Sequence, residues 1–404
     1  MKRLALTLLA ALACAGASAQ HGPWTLRDCI GYALENNLTV KQSSLAVEQR
    51  EVDLNTAQGR RLPSLSAGAS ENLSFGRGLT ADNTYSNSNT SSTSFSLGTD
   101  IPIFHGFDIT NGIKLSKLNL AAATADLEKA RDDIRVAVAQ AFVQILYNQE
   151  VLHVAKEQSA HDAELLEQVK ERLSAGKVSA ADVSAQQATL AQSRQSEIQA
   201  EGNLSISLLE LTQLLELQSP EGFSIVTPEV GDVSAILLMR PEAIYQEAVE
   251  TRPAVEAAKL NLEYAKVAID RAKGAFLPSL SLSVPIFQRF STRNQVRSAQ
   301  ISFRGQEIQL ESVKKALYKE IQQAYYNAVN SQARYNGSRE TAASAREHYE
   351  LTEEKYKVGK AGIAEYNDAR NNWLRAESDH IQARFQCLYQ TRLLDFYRSG
   401  EIEF

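Results

Sequence analysis

Apolar residues follow a heptad repeat over long stretches of this sequence. From about Asp108 to Ala175 no residue breaks a helix, and these 68 residues would extend on the order of 100 Å as a helix. Two registers are apolar at seven-residue intervals: Leu127, Ile134 and Ala141 in one, and Val138, Ile145 and Leu152 in the other. A repeat of 3.5 residues held over this length predicts coiled-coil packing rather than a compact globule. Gly176 ends the pattern, and a second helix from Ser179 to about Leu217 completes a long helical hairpin.

Two shorter stretches alternate between apolar and small polar residues, which predicts β-strands. They cover residues 64–75 and 94–103. Each is long enough for a tilted transmembrane strand, which needs roughly 9–11 residues. Residues 76–92 between them are rich in Asn, Ser and Thr, as in a solvated hairpin loop. The alternation also fits a soluble, half-buried hairpin. The very small residues of the polar side favour a barrel wall with lipid outside and water inside.

The second half of the sequence repeats the first. Three motifs occur twice: Leu-Pro-Ser-Leu-Ser at 62–66 and 277–281, a Pro-Ile-Phe segment at 101–104 and 284–287, and a Gly-Lys turn at 176–177 and 359–360. The offset falls from 215 for the first motif to 183 for the others, so the second copy lacks 32 residues between its two proline motifs.

The motifs define the boundaries of two structural repeats. We predict a first repeat at 20–218, with a β-hairpin at 64–104 and a helical turn at 174–178. An irregular linker follows at 219–240. The second repeat covers 241–404, with a shortened hairpin at 278–287 and a helical turn at 358–362.

The start of the chain predicts export. Lys2 and Arg3 precede an apolar run, and Ala17-Ser18-Ala19 fits the cleavage site of a signal peptide at 1–19. Lipidation at Cys14 is the alternative. No other run of 18 apolar residues exists, so any membrane insertion would have to use β-strands.

Composition argues against several other classes of function. A formal net charge of −6 provides no basic field, so we expect no nucleic-acid partner. The six histidines form no metal-binding motif, and no phosphate loop or nucleophile elbow occurs, so we expect neither an enzyme nor a cofactor. His153 and His161, eight residues apart on one predicted helix, are interpreted as solvated. Cys29 and Cys387 are expected to be small buried residues, with one bond between them as the alternative.

These features together resemble the TolC family of outer-membrane factors, over the whole mature chain. The motifs that carry the resemblance are Leu-Pro-x-Leu before the first strand, Pro-Ile-Phe after each hairpin, and Tyr-x-x-Gly ahead of an acidic residue in the last hairpin. The resemblance implies a mainly α fold in which duplicated long coiled-coil hairpins form a trimeric α-barrel. Short transmembrane β-hairpins would contribute to a shared outer-membrane β-barrel, with the second hairpin truncated here.

The resemblance also implies a function and its partners. The homotrimer would be a passive exit duct in the outer membrane, with its helical tube in the periplasm. A periplasmic adaptor protein would couple it to an inner-membrane pump, in an efflux or type I secretion system.

In this family the inner ends of the helical hairpins carry the closing aperture. Glu365 and Asp368 match the acidic rings that narrow the family's pore, and a solvated helix N-terminus is the alternative. Tyr356 matches the gate tyrosine and Asp182 its acceptor. The chain departs from the family at the gate arginine, whose position is Ala361 here. The resemblance marks seven turn residues as candidates for docking the adaptor: Ser174, Ala175, Gly176, Lys177, Val358, Gly359 and Lys360.

The shortened second hairpin sets the alternative function. Pro285 comes only seven positions after Pro278, too few to cross an apolar band of about 25 Å and return. One full hairpin per chain gives a trimer six strands, too few for an open pore. The alternative is a non-conducting periplasmic coiled-coil structural protein.

Overall fold

The computed structural model describes residues 22–79, 82–87, 89–228, 239–277 and 290–402. The signal peptide, Cys14 and the shortened hairpin at 278–287 lie outside the described residues, as does much of the predicted linker.

The chain divides into two compact units. The first unit contains residues 1–43, 127–253 and 314–404, and the second unit contains residues 44–126 and 254–313. Each unit therefore takes segments from both halves of the sequence. The repeat boundaries at 20–218 and 241–404 stay a prediction.

Helices make up most of the described chain, which confirms the prediction of a mainly helical fold. In chain order they are α1 (Leu26–Asn36), α2 (Leu38–Gly59), α3 (Asp108–Ser174), α4 (Ala180–Leu214), α5 (Pro241–Thr251), α6 (Pro253–Gly274), α7 (Ser291–Lys357) and α8 (Ile363–Ser399). α1 and α5 each contain 11 residues, α2 and α6 each contain 22, and α3 and α7 each contain 67. The first two pairs start 215 positions apart and the third pair 183 apart, the same offsets as the sequence motifs.

The sequence pattern predicts one helix over about 24–61 and another over about 241–275, but each of these segments is broken into two helices. Asn37 is extended (φ −59°, ψ 132°), and its side-chain oxygen accepts the Thr39 N–H at 2.9 Å, which helps to start α2. Arg252 is extended at the equivalent place (φ −75°, ψ 128°). The following Pro253 clashes with a helical conformation of the residue before it, so this break has a plain steric cause.

The alternating stretches form the predicted hairpin. β1 (Ser64–Ser74) pairs antiparallel with β4 (Thr90–Asp100), with Ala69 opposite Phe95 and Ser70 opposite Ser94. Apolar and small polar residues therefore occupy opposite faces of the pair. The expected loop contains a second short pair, β2 (Arg77–Leu79) with β3 (Tyr85–Asn87), because antiparallel pairing resumes beyond Gly76.

The heptad positions of α3 form part of the core of the first unit. Val138 and Ile145 are fully buried, and Leu127, Ile134 and Leu152 are also buried. Ala141 is half-buried. The predicted core face of this helix is therefore confirmed within the first unit.

The described part of the linker is attached to the chain's start. Trp24 forms a parallel bridge with Ile225, in which the Trp24 N–H donates to Ser224 at 2.8 Å and Val226 donates back at 2.9 Å. The short β-prone segment at 223–226 therefore completes its backbone hydrogen bonds against residue 24.

Candidate functional site at the tips of the helical hairpins

Two turns of the same geometry close the helical hairpins of the first unit. Gly176 and Gly359 have φ of +67° and +74°, a left-handed conformation that glycine adopts without steric cost. The Gly176 N–H donates to Leu173 and the next N–H donates to Arg172, both at 2.9 Å. Gly359 donates to Tyr356 at 3.1 Å, and Lys360 donates to Lys355 at 2.8 Å. Both helices thus end in the same glycine-capped motif.

The predicted docking residues are all exposed at these turns. Val358, at 69% exposure, is an apolar side chain that the chain itself leaves uncovered. The full exposed set is Ser174, Ala175, Gly176, Lys177, Val358, Gly359 and Lys360. A surface of this kind is available to another protein, and which protein binds it stays a prediction.

Tyr356, the predicted gate tyrosine, lies inside the protomer. It is buried in an apolar cluster with Leu165, Val169 and Tyr366. Its ring stacks on that of Tyr366 with centroids 5.0 Å apart, and the Arg172 guanidinium lies 4.8 Å from its centroid. Arg172 and Tyr356 flank the two turns, so this cation–π contact joins the hairpin tips within one chain.

Asp182 is engaged with its own helix. The Ser179 N–H and hydroxyl both donate to its carboxylate at 2.8 Å, and the Asp182 N–H donates to the Ser179 hydroxyl at 3.2 Å. This reciprocal capping box starts α4. The bonds from the Ser179 backbone and side chain hold the pKa of Asp182 below its usual value. Among the described residues no hydrogen bond joins Tyr356 to Asp182, so the predicted gate pairing stays a prediction.

Glu365 and Asp368 are exposed on the first turns of α8. Their spacing of three places them on one face of the helix. Gly362 at the N-cap provides no capping side chain, in contrast to Ser179 in the first hairpin. The position of Glu365 near the helix N-terminus favours its negative charge.

Behind the tips the structure contains a buried ion pair that the sequence reasoning missed. Asp162 on α3 pairs with Arg370 on α8, and their side chains are 0% and 3% exposed. Arg370 also donates to the Gln158 carbonyl at 3.2 Å, and Gln186 donates to Asp162 at 3.5 Å. The second carboxylate oxygen, Oδ2 of Asp162, has no hydrogen-bond partner. A buried carboxylate needs a countercharge and hydrogen bonds to replace its lost hydration, and Arg370 provides the countercharge.

The sequence did carry a signal for this ion pair. Position 162 lies five heptads after Leu127, so an aspartate occupies a register in which Leu127, Ile134 and Ala155 are buried. A charged residue at such a position needs a partner on a facing helix.

A chain of hydroxyl and imidazole groups lies beside the ion pair. His161 Nε2 is 2.7 Å from the Tyr366 hydroxyl, which is 3.2 Å from the Tyr349 hydroxyl. The interpretation of His161 as solvated was wrong, because α8 packs over the ring and leaves it half-buried. His153 is exposed, as expected, and lies 3.4 Å from Glu157. Burial and the charge of Arg370 lower the pKa of His161.

Other candidate chemistry is limited in the described ranges. No helix there is long and apolar enough to cross a membrane. Nor do three or more His, Cys, Asp or Glu side chains come together there in a way that could hold a metal ion. Cys29 and Cys387 are buried, and each is a free thiol. Burial raises the pKa of Cys29 to about 12, as expected of an unreactive core residue.

Residues 29–216 and 279–395 match the family described as outer membrane efflux protein. The chain belongs to the outer membrane efflux protein family. It is therefore an outer-membrane efflux or secretion channel and not an enzyme.

Individual relatives agree with this assignment. Outer membrane protein TolC of Escherichia coli strain K12 is 24% identical over 428 residues, which cover 96% of this chain and 84% of TolC. Protein CyaE of Bordetella pertussis is 25% identical over 302 residues, which cover 65% of this chain and 62% of CyaE.

Solved structures show the same fold at low identity. The Campylobacter jejuni CmeC outer membrane channel is 19% identical and has a TM-score of 0.77 over 93% of this chain and 86% of its own. The outer membrane protein VceC of Vibrio cholerae is 17% identical and has a TM-score of 0.74 over 93% of this chain and 95% of its own.

Proposed function

We propose that three copies of this chain form the exit duct of a tripartite efflux or type I secretion system. A periplasmic adaptor couples the duct to an inner-membrane pump, which selects the substrate and supplies the energy. The observation that carries the proposal is the pair of matched turns, which present exposed backbone and an exposed acidic pair at one end of the helical hairpins.

Glu365 and Asp368 form the constriction in this proposal. Threefold symmetry would bring six carboxylates around the axis, where they would attract cations and hold the entrance negative. Tyr356 and Asp182 lie at the two turns beside them. The packing of Tyr356 inside its own protomer supports a role in positioning the last hairpin.

The exposed turns are the docking surface for the adaptor. Seven residues at two turns with the same pattern of backbone hydrogen bonds offer two similar contact points per chain. A trimer would then offer six, which suits a ring of adaptor subunits.

The β1–β4 hairpin is the membrane-inserted part. Its apolar face is uncovered in the single chain, and Phe95 is 82% exposed. Two paired strands of 11 residues each, apolar on one face, suit lipid on that side. The first repeat would supply a full hairpin and the second only a shortened one. Six residues lie between Pro278 and Pro285, which favours the alternative of a protein that does not conduct.

Two measurements test the function. In cell fractionation we expect the protein in the outer membrane, as trimers that resist detergent on unheated gels. In a planar bilayer an open duct would give a large, steady single-channel conductance, and this result would show that the barrel opens despite the short second hairpin. A soluble periplasmic pool without conductance would support the coiled-coil structural protein instead. Trimers in the outer membrane without conductance would show that the short second hairpin closes the barrel.

A further inference from the structure

We propose that His161 makes the closed packing of the hairpin tips sensitive to acid: its protonation loosens α8 from α3 behind the tips. As a statement about helix packing, the inference stands on the geometry of one chain. Its consequence for channel opening rests on the proposed function.

The first step is the position of the ring. His161 on α3 contacts the Tyr366 hydroxyl on α8 at 2.7 Å. Tyr366 is 1% exposed and follows Glu365 directly in the chain. It also stacks on Tyr356 in the apolar cluster at the tips. A change at His161 therefore acts on Tyr366, which joins the first turn of α8 to the apolar cluster around Tyr356.

The second step is the charge around the ring, taken element by element. On α3 the neighbouring charged groups are Asp162 and Glu164. On α7 the facing groups are Glu353 and the Tyr349 hydroxyl, and on α8 they are Arg370 and Tyr366. The cavity beside the ring is also lined by Glu150 and Glu157 on α3, Arg346 on α7 and Glu377 on α8. From α4 the neutral amide of Gln186 reaches Asp162.

The carboxylates in this set do not offset the charge of an imidazolium. Asp162 is already paired with Arg370. Glu353 lies 3.1 Å from Lys357, and Glu164 is exposed to solvent that screens it. Burial and Arg370 outweigh these three carboxylates, so the pKa of His161 is lowered.

The third step is what protonation does to the hydrogen bonds. A neutral imidazole has one donor and one acceptor, whereas an imidazolium has two donors and no acceptor. Burial and the Tyr349 hydroxyl raise the pKa of Tyr366, so its hydroxyl keeps its proton. A protonated His161 can therefore only donate to Tyr366, which must direct its own proton elsewhere. The new positive charge also lies near Arg370 in a half-buried site.

The direction with pH follows from this lowered pKa. The packed state binds the proton less well than an opened or unfolded state, in which histidine titrates near pH 6.5. The packing of α8 on α3 is therefore most stable above about pH 6.5. It becomes less stable as the pH falls towards the lowered pKa of His161. Asp182 does not contribute in this range, because its pKa lies below the usual carboxyl value.

The test compares amide hydrogen exchange of the full-length protein in detergent at about pH 7.5 and about pH 5.5. Rates are corrected for the effect of pH on intrinsic exchange. In the unmodified protein we expect a several-fold faster exchange of peptides covering 356–370 at the lower pH. His161→Gln keeps a hydrogen bond to Tyr366 but cannot take up a proton, and His161→Phe fills the space with an uncharged ring. Both variants should lose the acid effect.

His153→Gln is the matched control, because His153 lies on the same helix and is exposed. It should behave as the unmodified protein does. The proposal is overturned by an acid effect at 356–370 that persists in both His161 variants, or by its absence from the unmodified protein.

The same proteins in a planar bilayer separate this inference from the proposed function. A His161-dependent exchange effect without any conductance would keep the inference and reject the duct. Conductance without a His161-dependent exchange effect would support the duct and reject the inference about His161.

Discussion

At the scale of single residues, the most deeply buried charges near the tip are those of the ion pair between Asp162 and Arg370. The heptad register places Asp162 among core positions, so its burial could have been predicted from the sequence. Its partner could not, because Arg370 lies 208 positions later and only the packing of α8 on α3 brings the two together. Asp182 is the opposite case. The Ser179–Asp182 spacing is a local capping signal, and the hydrogen bonds from Ser179 account for the lowered pKa of Asp182.

The ion pair predicts a large loss of stability when one partner is removed. Asp162→Asn leaves Arg370 buried without a countercharge, which should destabilise the protein by about 3–5 kcal/mol. Thermal unfolding followed by circular dichroism measures the change. Glu350→Gln is the control, because it breaks the exposed pair with Arg346, and such pairs contribute about 0.5 kcal/mol or less. Equal effects of the two substitutions would contradict this account.

At the scale of elements, the sequence predicted the long helices and the hairpin well. α3 begins at Asp108 as predicted and ends at Ser174, one residue before its predicted end. The breaks at Asn37 and Arg252 were missed, although Pro253 is a local signal for the second one. The break at Asn37 depends partly on tertiary contact, because its side-chain amide also donates to the Leu214 carbonyl at 3.0 Å. No pattern within α1 and α2 contains that information.

The hairpin predicts that one strand tolerates a charge on only one of its faces. Phe95 and Ser94 are neighbours in the middle of β4 and lie on opposite faces. Phe95→Arg would place a charge on the lipid side, at a cost of about 2–4 kcal/mol near the membrane midplane. We expect it to reduce the amount of protein recovered in the outer-membrane fraction.

Ser94→Arg puts the same side chain at the same depth on the polar face and should leave that amount unchanged. If both substitutions reduced insertion equally, the apolar face of the hairpin would not face lipid.

At the scale of the whole molecule, the repeats and the compact units divide the chain differently. The motifs at offsets of 215 and 183 follow the order of the sequence, whereas each compact unit combines segments from both halves. The pairing of remote segments depends on contacts that a repeat pattern does not encode, so the sequence did not predict it. The repeat pattern does not show how several chains assemble. The proposed assembly can be tested at the exposed pair Glu365 and Asp368, through the ion preference of the channel.

The proposed constriction predicts the ion preference of the assembled channel. Neutralising the exposed pair with Glu365→Gln and Asp368→Asn should remove most of the preference for cations, because the proposed ring would lose its charge. The reversal potential across a bilayer with a salt gradient reports this preference. Glu354→Gln is the control, since Glu354 is an exposed acid on α7 outside the proposed ring. An unchanged reversal potential in the double variant would place the constriction elsewhere.

The two hairpin turns also show how repeated units come to differ. Residues 179 and 362 occupy the same place in the two copies, and one is serine while the other is glycine. Where the hydroxyl is present, the acid three positions later is held by its own helix. Where it is missing, the capping box cannot form and Glu365 extends into solvent. The difference of one small side chain therefore separates two acids at equivalent positions: Asp182 is held by the cap of its own helix, whereas Glu365 has no capping hydroxyl to bind it.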